Sequence, residues 1–141
     1  MASYTTNYGL HQWEAIDNFL RTDFNADFEK IDEALGTKPE IVSGSYTGDG
    51  TASRTIPLDF TPKALYLCTE TGQAYDSSNG SSTSYGGLVL PCGAVAVREH
   101  TVAEIVEGGL QVGHWHEDTG SFYRTYSGNA ANTVYRYLAV K

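Results

Sequence analysis

The run Ala64-Leu65-Tyr66-Leu67-Cys68 is short and apolar along its whole length, which favours a strand in the middle of a sheet. The closing stretch Tyr135-Arg136-Tyr137-Leu138-Ala139-Val140 comes close to alternating in polarity and predicts a final strand. Similar short runs fill the chain from Ile41 onward, separated by turn signals, and none of them carries a helical stripe. The predicted strands are 41–47, 53–58, 64–69, 87–90, 94–99, 101–106, 110–114, 122–126 and 133–140.

Eight or nine short strands in about a hundred residues are typical of an all-β domain. We therefore expect an antiparallel β-sandwich, jelly-roll-like, over residues 41–141. Gly48-Asp49-Gly50 lies between the first two predicted strands and is a strong hairpin signal, because a positive φ is easily reached there.

Residues 1–40 have a different composition. They contain eight acidic and three basic residues, and only Gly9 of the fifteen glycines precedes position 36. A break of this kind usually marks a change of architecture. We expect a helical N-terminal segment over 1–40 that precedes the β domain of 41–141.

Large apolar residues in this segment recur with a mean step close to the helical period. They predict a helix over about 7–35, with Asn7 as N-cap and Gly36 as the C′ residue. A break near 21–25, with Thr22 or Asp23 capping a second helix, is the alternative. The residues expected to serve in oligomerisation or attachment are Leu10, Trp13, Ile16, Leu20, Phe24, Phe28, Ile31 and Leu35.

An isolated amphipathic helix must have its apolar stripe covered. The stripe either packs on the chain's own β domain or packs on copies of itself in a short bundle, and the second hypothesis is preferred. The stripe departs from a strict heptad pattern because three consecutive steps of four occur along it.

Charge and composition exclude several classes of protein. The net charge is −8 with a pI near 4.8, so nucleic acid is a poor candidate partner. There is no apolar run long enough to insert into a membrane and no signal-peptide pattern at the N-terminus. Cys68 and Cys92 are too few for a disulfide scaffold, so the chain is expected to be soluble and made in a reducing cytosol.

The search for reactive groups gives little. His114 and His116 share one strand face and could help to bind a metal ion, with His100, Cys68 or Cys92 or along a trimer axis, but no recognised ligand spacing occurs. No nucleophile elbow or phosphate loop is present, and scattered acids such as Glu99, Glu104, Glu107, Glu117 and Asp118 are more typical of a surface than of a glycosidase pair. We expect no catalytic residues, no cofactor and no metal.

Tyrosine is frequent in the β part, and this residue suits recognition surfaces as well as half-buried sheet faces. The polar, low-complexity stretch 77–87 is expected to be a loop, and loops on a rigid scaffold often carry binding residues. The candidate receptor-binding residues are Trp115, His116, Tyr123, Tyr85 and Asn79.

The N-terminal segment carries Asn7-Tyr8-Gly9-Leu10, then Asp23, then an Asn25-to-Asp32 element and Ala34-Leu35-Gly36. In this order it resembles the start of tail-fibre and related appendage proteins of phages and prophages of Gram-positive bacteria. The proline-containing linker common in that family is replaced by His11-Gln12-Trp13-Glu14.

The remainder is similar to small β domains of phage virion proteins. The matching elements are a Gly-Ser-Tyr-Thr-Gly-Asp-Gly opening at 44–50, the run 54–64 with Asp59 where a glycine is common, Gly109-Leu110-Gln111-Val112, and a closing strand from Asn129 to Ala139.

The two resemblances imply a virion structural protein that is usually a homotrimer, and they supply no catalytic residues. We expect a short fibre subunit, located in the virion after assembly in the bacterial cytoplasm. Its N-terminus would assemble or attach to other virion proteins, and its head would contact a host surface glycan. The alternatives are a capsid head-fibre or decoration protein with a purely structural role and, more remotely, a small carbohydrate-active enzyme.

Overall fold

The computed structural model describes residues 3–118 and 120–141. The contacts within the chain divide it into two compact units, one ending at Pro39 and the other running from Glu40 to Lys141. This division lies one residue from the composition break in the sequence. We refer to the second unit as the head.

The N-terminal unit contains one small hairpin and one helix. The strands are β1 Ser3–Tyr4 and β2 His11–Gln12, paired antiparallel, and the helix is α1 Arg21–Gly36. The prediction of a helix over 7–35 is therefore wrong for its first half, and Asn7 lies in a turn rather than at an N-cap. The alternative placed a helix boundary near 21–25, and only the second of its two helices exists.

Local backbone and tertiary hydrogen bonds explain the loss of helix before residue 21. Gly9 has a φ of 62° and lies at the end of a turn. A hydrogen bond from the Leu10 amide to the Thr5 hydroxyl closes this turn. The His11 amide then donates to Asp27 Oδ2 at 2.8 Å, so it is unavailable for a helical bond. Leu10, Trp13 and Ile16 keep their apolar spacing but lie on irregular backbone.

The ends of α1 also differ from those predicted. Leu20 occupies the N-cap position without a side-chain cap, so Thr22 and Asp23 lie in the first turn. Gly36 is the last helical residue, and the C-cap Thr37 has a right-handed φ of −88°. The helix thus ends without the left-handed glycine that a Schellman motif uses.

The head is mainly β. Its strands are β3 Ile41–Thr47, β4 Ser53–Pro57, β5 Ala64–Thr69, β6 Tyr75–Ser78, β7 Ser81–Ser84, β8 Gly87–Val89, β9 Val95–Val97, β10 His100–Val106, β11 Gly109–Asp118, β12 Tyr123–Ser127 and β13 Val134–Val140. Each of the nine strands predicted in this part of the sequence is present, with ends that differ by a few residues at most. The apolar run at Ala64 forms β5, which lies between two neighbours in its sheet, as predicted.

The strands form two sheets. One has the order β3-β13-β5-β8, and the other has the order β6-β7-β12-β11-β10-β9, with β4 paired to the first half of β11. All strand pairs are antiparallel except β7 with β12, which is parallel, so the second sheet is mixed.

The core lies where side chains of both sheets meet. Leu65, Leu67 and Tyr135 come from the first sheet, while Leu110 and Val112 come from the second. All five are almost completely buried. Apolar burial of this kind is the main stabilising contribution to such a domain.

The predicted hairpin at Gly48-Asp49-Gly50 does not form. β3 pairs with β13 and β4 pairs with β11, so this segment connects the two sheets. Its conformation is fixed by the segment after β12, because the Gly48 amide donates to Thr133 and the Gly50 amide donates to Asn129. A Cβ at Gly48 would overlap the carbonyl oxygen of Ala130.

The stretch 77–87, predicted to be a loop, is largely ordered strand. β6 and β7 form a hairpin whose turn is Asn79-Gly80, with φ values of 45° and 84°. Asn-Gly with positive φ at both positions is the favoured two-residue hairpin turn. β7 forms a strand despite its serine and threonine content because it pairs on both sides, with β6 and β12.

Asp59 has a φ of 61°. This left-handed conformation is easily reached by glycine and is tolerated by aspartate better than by most residues.

Candidate functional site

The candidate receptor-binding residues do not form one site. Trp115 and His116 are neighbours in β11, and successive side chains of a strand point to opposite faces of the sheet. Tyr123 is on the His116 side, since its ring stacks on His116 with centroids 6.0 Å apart. Tyr85 packs against the hydrophobic core, and Asn79 lies in the β6–β7 turn.

Trp115 belongs to a face that runs across four strands. The register places Tyr75, Ser84, Tyr126 and Trp115 in one row. The adjacent row contains Ser77, Ser82, Arg124 and Glu117. We call these two rows the platform face.

Aromatic rings stack at one end of the platform face. His100 lies parallel to Trp115 at 5.0 Å and to Tyr126 at 5.5 Å between ring centroids. Tyr126 is buried, whereas Trp115 remains 40% exposed. An exposed indole held by a stacked neighbour offers a flat apolar surface of the type that packs on sugar rings.

Glu117 fixes the orientation of this cluster. Its carboxylate accepts from His100 Nε2 at 3.1 Å and from the Tyr126 hydroxyl at 3.3 Å, and Arg98 lies 3.5 Å away. These contacts are partly exposed to solvent, so the ion pair contributes more to geometry than to stability.

A cavity of about 210 Å³ adjoins Trp115. Glu99 and Glu104 line it together with the polar side chains of Ser53 and Gln111. Two of the acids considered for a glycosidase pair thus lie beside the exposed tryptophan. The cavity is acidic, which disfavours an anionic ligand.

The histidines of β11 lie on the opposite face and are bonded to hydroxyl groups. His114 Nδ1 is 2.7 Å from Ser127 Oγ, and His116 Nδ1 is 3.1 Å from Thr125 Oγ1. His100 is on the platform face, and both cysteines are free thiols. Among the described residues no three His, Cys, Asp or Glu side chains are grouped as ligands for a metal ion.

A second groove, of about 290 Å³, lies beside the β6–β7 hairpin. We call it the serine groove, after the hydroxyl groups that dominate it. It is lined by Ser77, Ser78, Asn79, Gly80, Ser81, Ser82, Phe122 and Arg124. The sequence indicated Asn79 and the serines, but it gave no reason to single out Arg124.

The C-terminal end of β12 and the segment that follows it are held by buried polar groups. The Tyr135 hydroxyl donates to the Ser127 carbonyl at 2.8 Å and accepts from the Ala130 amide at 3.1 Å. The Tyr46 hydroxyl donates to the Gly128 carbonyl at 2.5 Å, and its ring stacks on Tyr135. Burial raises the pKa of both tyrosines, so they stay neutral donors at any ordinary pH.

Asn129 completes this anchor. Its buried amide group donates to Asp49 Oδ1 at 2.7 Å and to the Thr51 carbonyl at 3.0 Å. Hydrogen bonds from the Thr51 hydroxyl and amide, followed by that from Asn129, lower the pKa of Asp49 to about 2.

The candidate assembly residues of the N-terminal unit are largely exposed. Phe24, Phe28, Ile31 and Leu35 form the stripe of α1, and their steps of 4, 3 and 4 follow a heptad pattern. We call these four residues the α1 seam. The steps that departed from the heptad involve Ile16 and Leu20, which precede the helix.

Phe24 of the seam contacts Phe19, in the segment before the helix, with ring centroids 5.5 Å apart. Trp13 stacks on His11 and its ring lies 4.7 Å from that of Phe19. His11 Nδ1 donates to Asp27 Oδ1 at 2.9 Å. Burial alone would raise the pKa of Asp27, but the hydrogen bonds from His11 and Lys30 outweigh it and lower that pKa.

Comparison with protein-family models, with curated proteins and with solved structures finds no match to this chain. In the described part of the chain no helix has the length and apolar character needed to cross a membrane.

Proposed function

We propose that this chain is a structural subunit of a phage virion, a short fibre protein that assembles or attaches through its N-terminal unit and contacts the host surface through its head. The observation that carries the proposal is the uncovered α1 seam. Phe28 and Leu35 are 54% and 59% exposed on a helix of only sixteen residues.

A unit of this size cannot be expected to be stable alone. Below about 40 residues a domain usually needs disulfides, a metal or oligomerisation, and both cysteines lie in the head. The unit also contains a buried Trp13 Nε1 without a hydrogen-bond partner among the described residues. Self-association of the α1 seam in a homotrimer, or its docking on another virion protein, would bury the exposed rings.

For the head we infer a jelly-roll-like β-sandwich. The support is the pairing of its first strand β3 with its last strand β13. The connection from β3 to β4 crosses from one sheet to the other. A last strand that returns beside the first is the Greek-key arrangement from which jelly rolls are built.

The platform face is the proposed host contact. Trp115 offers an exposed ring beside polar side chains, the combination that suits a saccharide with apolar ring faces and many hydroxyl groups. We assign no catalysis to this face, although Glu99 and Glu104 lie near the tryptophan.

The test is the native mass of the full chain beside a chain that starts at Glu40. A homotrimer of roughly 46 kDa, three times the 15.3 kDa chain, that becomes a monomer on truncation supports assembly through the N-terminal unit. A trimer that survives truncation would move the interface into the head, where Tyr66, Leu88 and Leu138 form an exposed apolar row on the first sheet.

A monomer in both cases would exclude self-association and leave docking on a virion partner. Binding by the head distinguishes the fibre proposal from the alternative of a capsid decoration protein. A decoration protein with a purely structural role would bind no cell surface or polysaccharide, and release of reducing ends from a bound polysaccharide would show an enzyme instead.

A further inference from the structure

We infer that the serine groove binds an acidic saccharide, with the Arg124 guanidinium as the partner of its carboxylate or phosphate group. This rests on the proposed contact of the head with a host surface and identifies the chemical class of the ligand. The groove is on the same sheet as Trp115, about 290 Å³ in volume, and open at the β6–β7 hairpin.

Arg124 lacks an acidic partner among the described residues. Its side chain is half-buried and lines the groove, yet its guanidinium makes no ion pair or side-chain hydrogen bond with any other described residue. Its cross-strand neighbour is Glu117, the acid that would normally pair with it. That carboxylate is instead held by Arg98, His100 and Tyr126.

Side-chain hydroxyl and amide groups line the serine groove together with Arg124. In the part of the chain that the structure describes, the side chains of Ser77, Ser78, Asn79, Ser81 and Ser82 make no hydrogen bonds with other residues. By contrast, Ser127, Asn129 and Thr51 in the same unit are bonded internally. Ser77 and Ser82 lie in the same row as Arg124, and Asn79 lies in the adjoining turn, so these side chains can satisfy ligand oxygens beside the cation. Ser78 and Ser81 alternate to the other face of the hairpin.

The distribution of charge also favours an anion in the serine groove. No acidic residue lines the serine groove, whereas Glu99 and Glu104 line the cavity beside Trp115. Glu117 lies across from Arg124, but its carboxylate pairs with Arg98 and His100, so the Arg124 guanidinium pairs with no acid of the described residues and favours an anion in the groove. Phe122 adds an exposed ring at the groove, on which the apolar face of a sugar can pack.

The experiment titrates the full chain with three polymers by calorimetry at low and high salt. Polygalacturonate presents carboxylates, poly(glycerol phosphate) presents phosphates, and dextran is neutral. We expect at least one acidic polymer to bind, more weakly at high salt. The two acidic polymers distinguish the source of the negative charge.

The variants are Arg124→Gln, Arg124→Lys and the matched control Arg136→Gln. Arg136 is an exposed arginine on the other sheet, paired with Glu70, and its replacement changes the net charge equally. Arg124→Gln should weaken binding of the acidic polymer about tenfold or more, and Arg124→Lys less, because lysine keeps the charge without the planar fork. Arg136→Gln should leave the affinity within about twofold.

Unchanged thermal unfolding of the three variants shows that each remains folded. Failure of both acidic polymers to bind, or binding that Arg124→Gln leaves unchanged, overturns the inference. Binding of dextran alone also overturns it while leaving a saccharide contact in place. The native-mass measurement tests fibre assembly separately, so the two proposals fail by different results.

Discussion

Single polar residues hold the two sheets of the head in register at the segment 127–130. Tyr135, Tyr46 and Asn129 each bond to this segment or extend from it, and none of these bonds is part of a strand ladder. Buried polar groups of this kind specify one arrangement, since any other would leave donors without acceptors. Removing one partner typically costs about 1–3 kcal/mol of stability.

Asp49 should make this anchor sensitive to acid. Its folded pKa of about 2 lies below the ordinary value of 3.8, so its stabilising effect is fully present above pH 4 and is lost as the pH falls toward 2. We predict that Asp49→Asn lowers the free energy of unfolding at pH 7. The deficit relative to wild type should shrink between pH 4 and pH 2, as measured by urea denaturation.

The matched control is Asp76→Asn. Asp76 is an exposed carboxylate on β6 that makes no side-chain hydrogen bond or ion pair with other described residues. Its difference from wild type should be small at every pH. A constant deficit for Asp49→Asn across the same range would contradict the assigned role of the carboxylate.

At the scale of elements, α1 is an amphipathic helix, and its apolar side is the α1 seam. Phe24 and Phe28 contact each other edge to face at 4.5 Å between ring centroids, yet both are exposed. The 4, 3, 4 spacing predicts side-by-side packing with another helix of the same pattern. The seam runs along most of α1, from its first turn to its last.

Leu35→Ser tests the seam. Leu35 is the most exposed seam residue, so its replacement should disturb its own unit least. In an assembly, each copy would lose roughly 1.5–3 kcal/mol of the free energy that burial of this side chain contributes. We therefore predict that the variant dissociates at a protein concentration at least about tenfold higher than the wild type does. Sedimentation measured over a dilution series gives the result.

Glu33→Gln is the control for the same helix, since Glu33 is an exposed residue outside the seam. It should leave the concentration dependence unchanged. Equal dissociation of the wild type and Leu35→Ser would place the oligomer interface elsewhere.

At the scale of the whole molecule, the two units differ in how their apolar residues are used. Every buried hydrophobic side chain of the described residues lies in the head, while most large apolar side chains of the N-terminal unit are exposed. The head has its own core and does not depend on the first unit for apolar burial.

A chain starting at Glu40 should therefore fold by itself. We predict a thermal midpoint within about 4 °C of the head transition of the full chain, since a difference of 1 kcal/mol would shift it by about that amount or more. Circular dichroism and calorimetry measure both chains. A much lower midpoint would show that the N-terminal unit stabilises the head directly.

The sequence by itself determined the mainly β character of the head and the position of its strands. β3 and β5 have the ends that the pattern predicted, because alternation and apolar runs are local properties that burial in a sheet requires. The Asn79-Gly80 turn was also present in the sequence as a hairpin signal. The serine-rich strands on either side of it have no apolar alternation, so the sequence pattern predicts a loop there.

Only the tertiary structure decided which strands are neighbours, and with that the candidate site. Gly48-Asp49-Gly50 has the composition of a hairpin turn, but bonds to Asn129 and Thr133, some eighty residues away, make it a crossover between sheets. Residues 7–20 carry a helical spacing, but the backbone of His11 bonds to Asp27 instead. Arg124 has no acidic partner among the described residues because the carboxylate of Glu117 bonds to Arg98 and His100. These outcomes depend on contacts between distant residues, which compete with local preference and outweigh it when they satisfy buried polar groups.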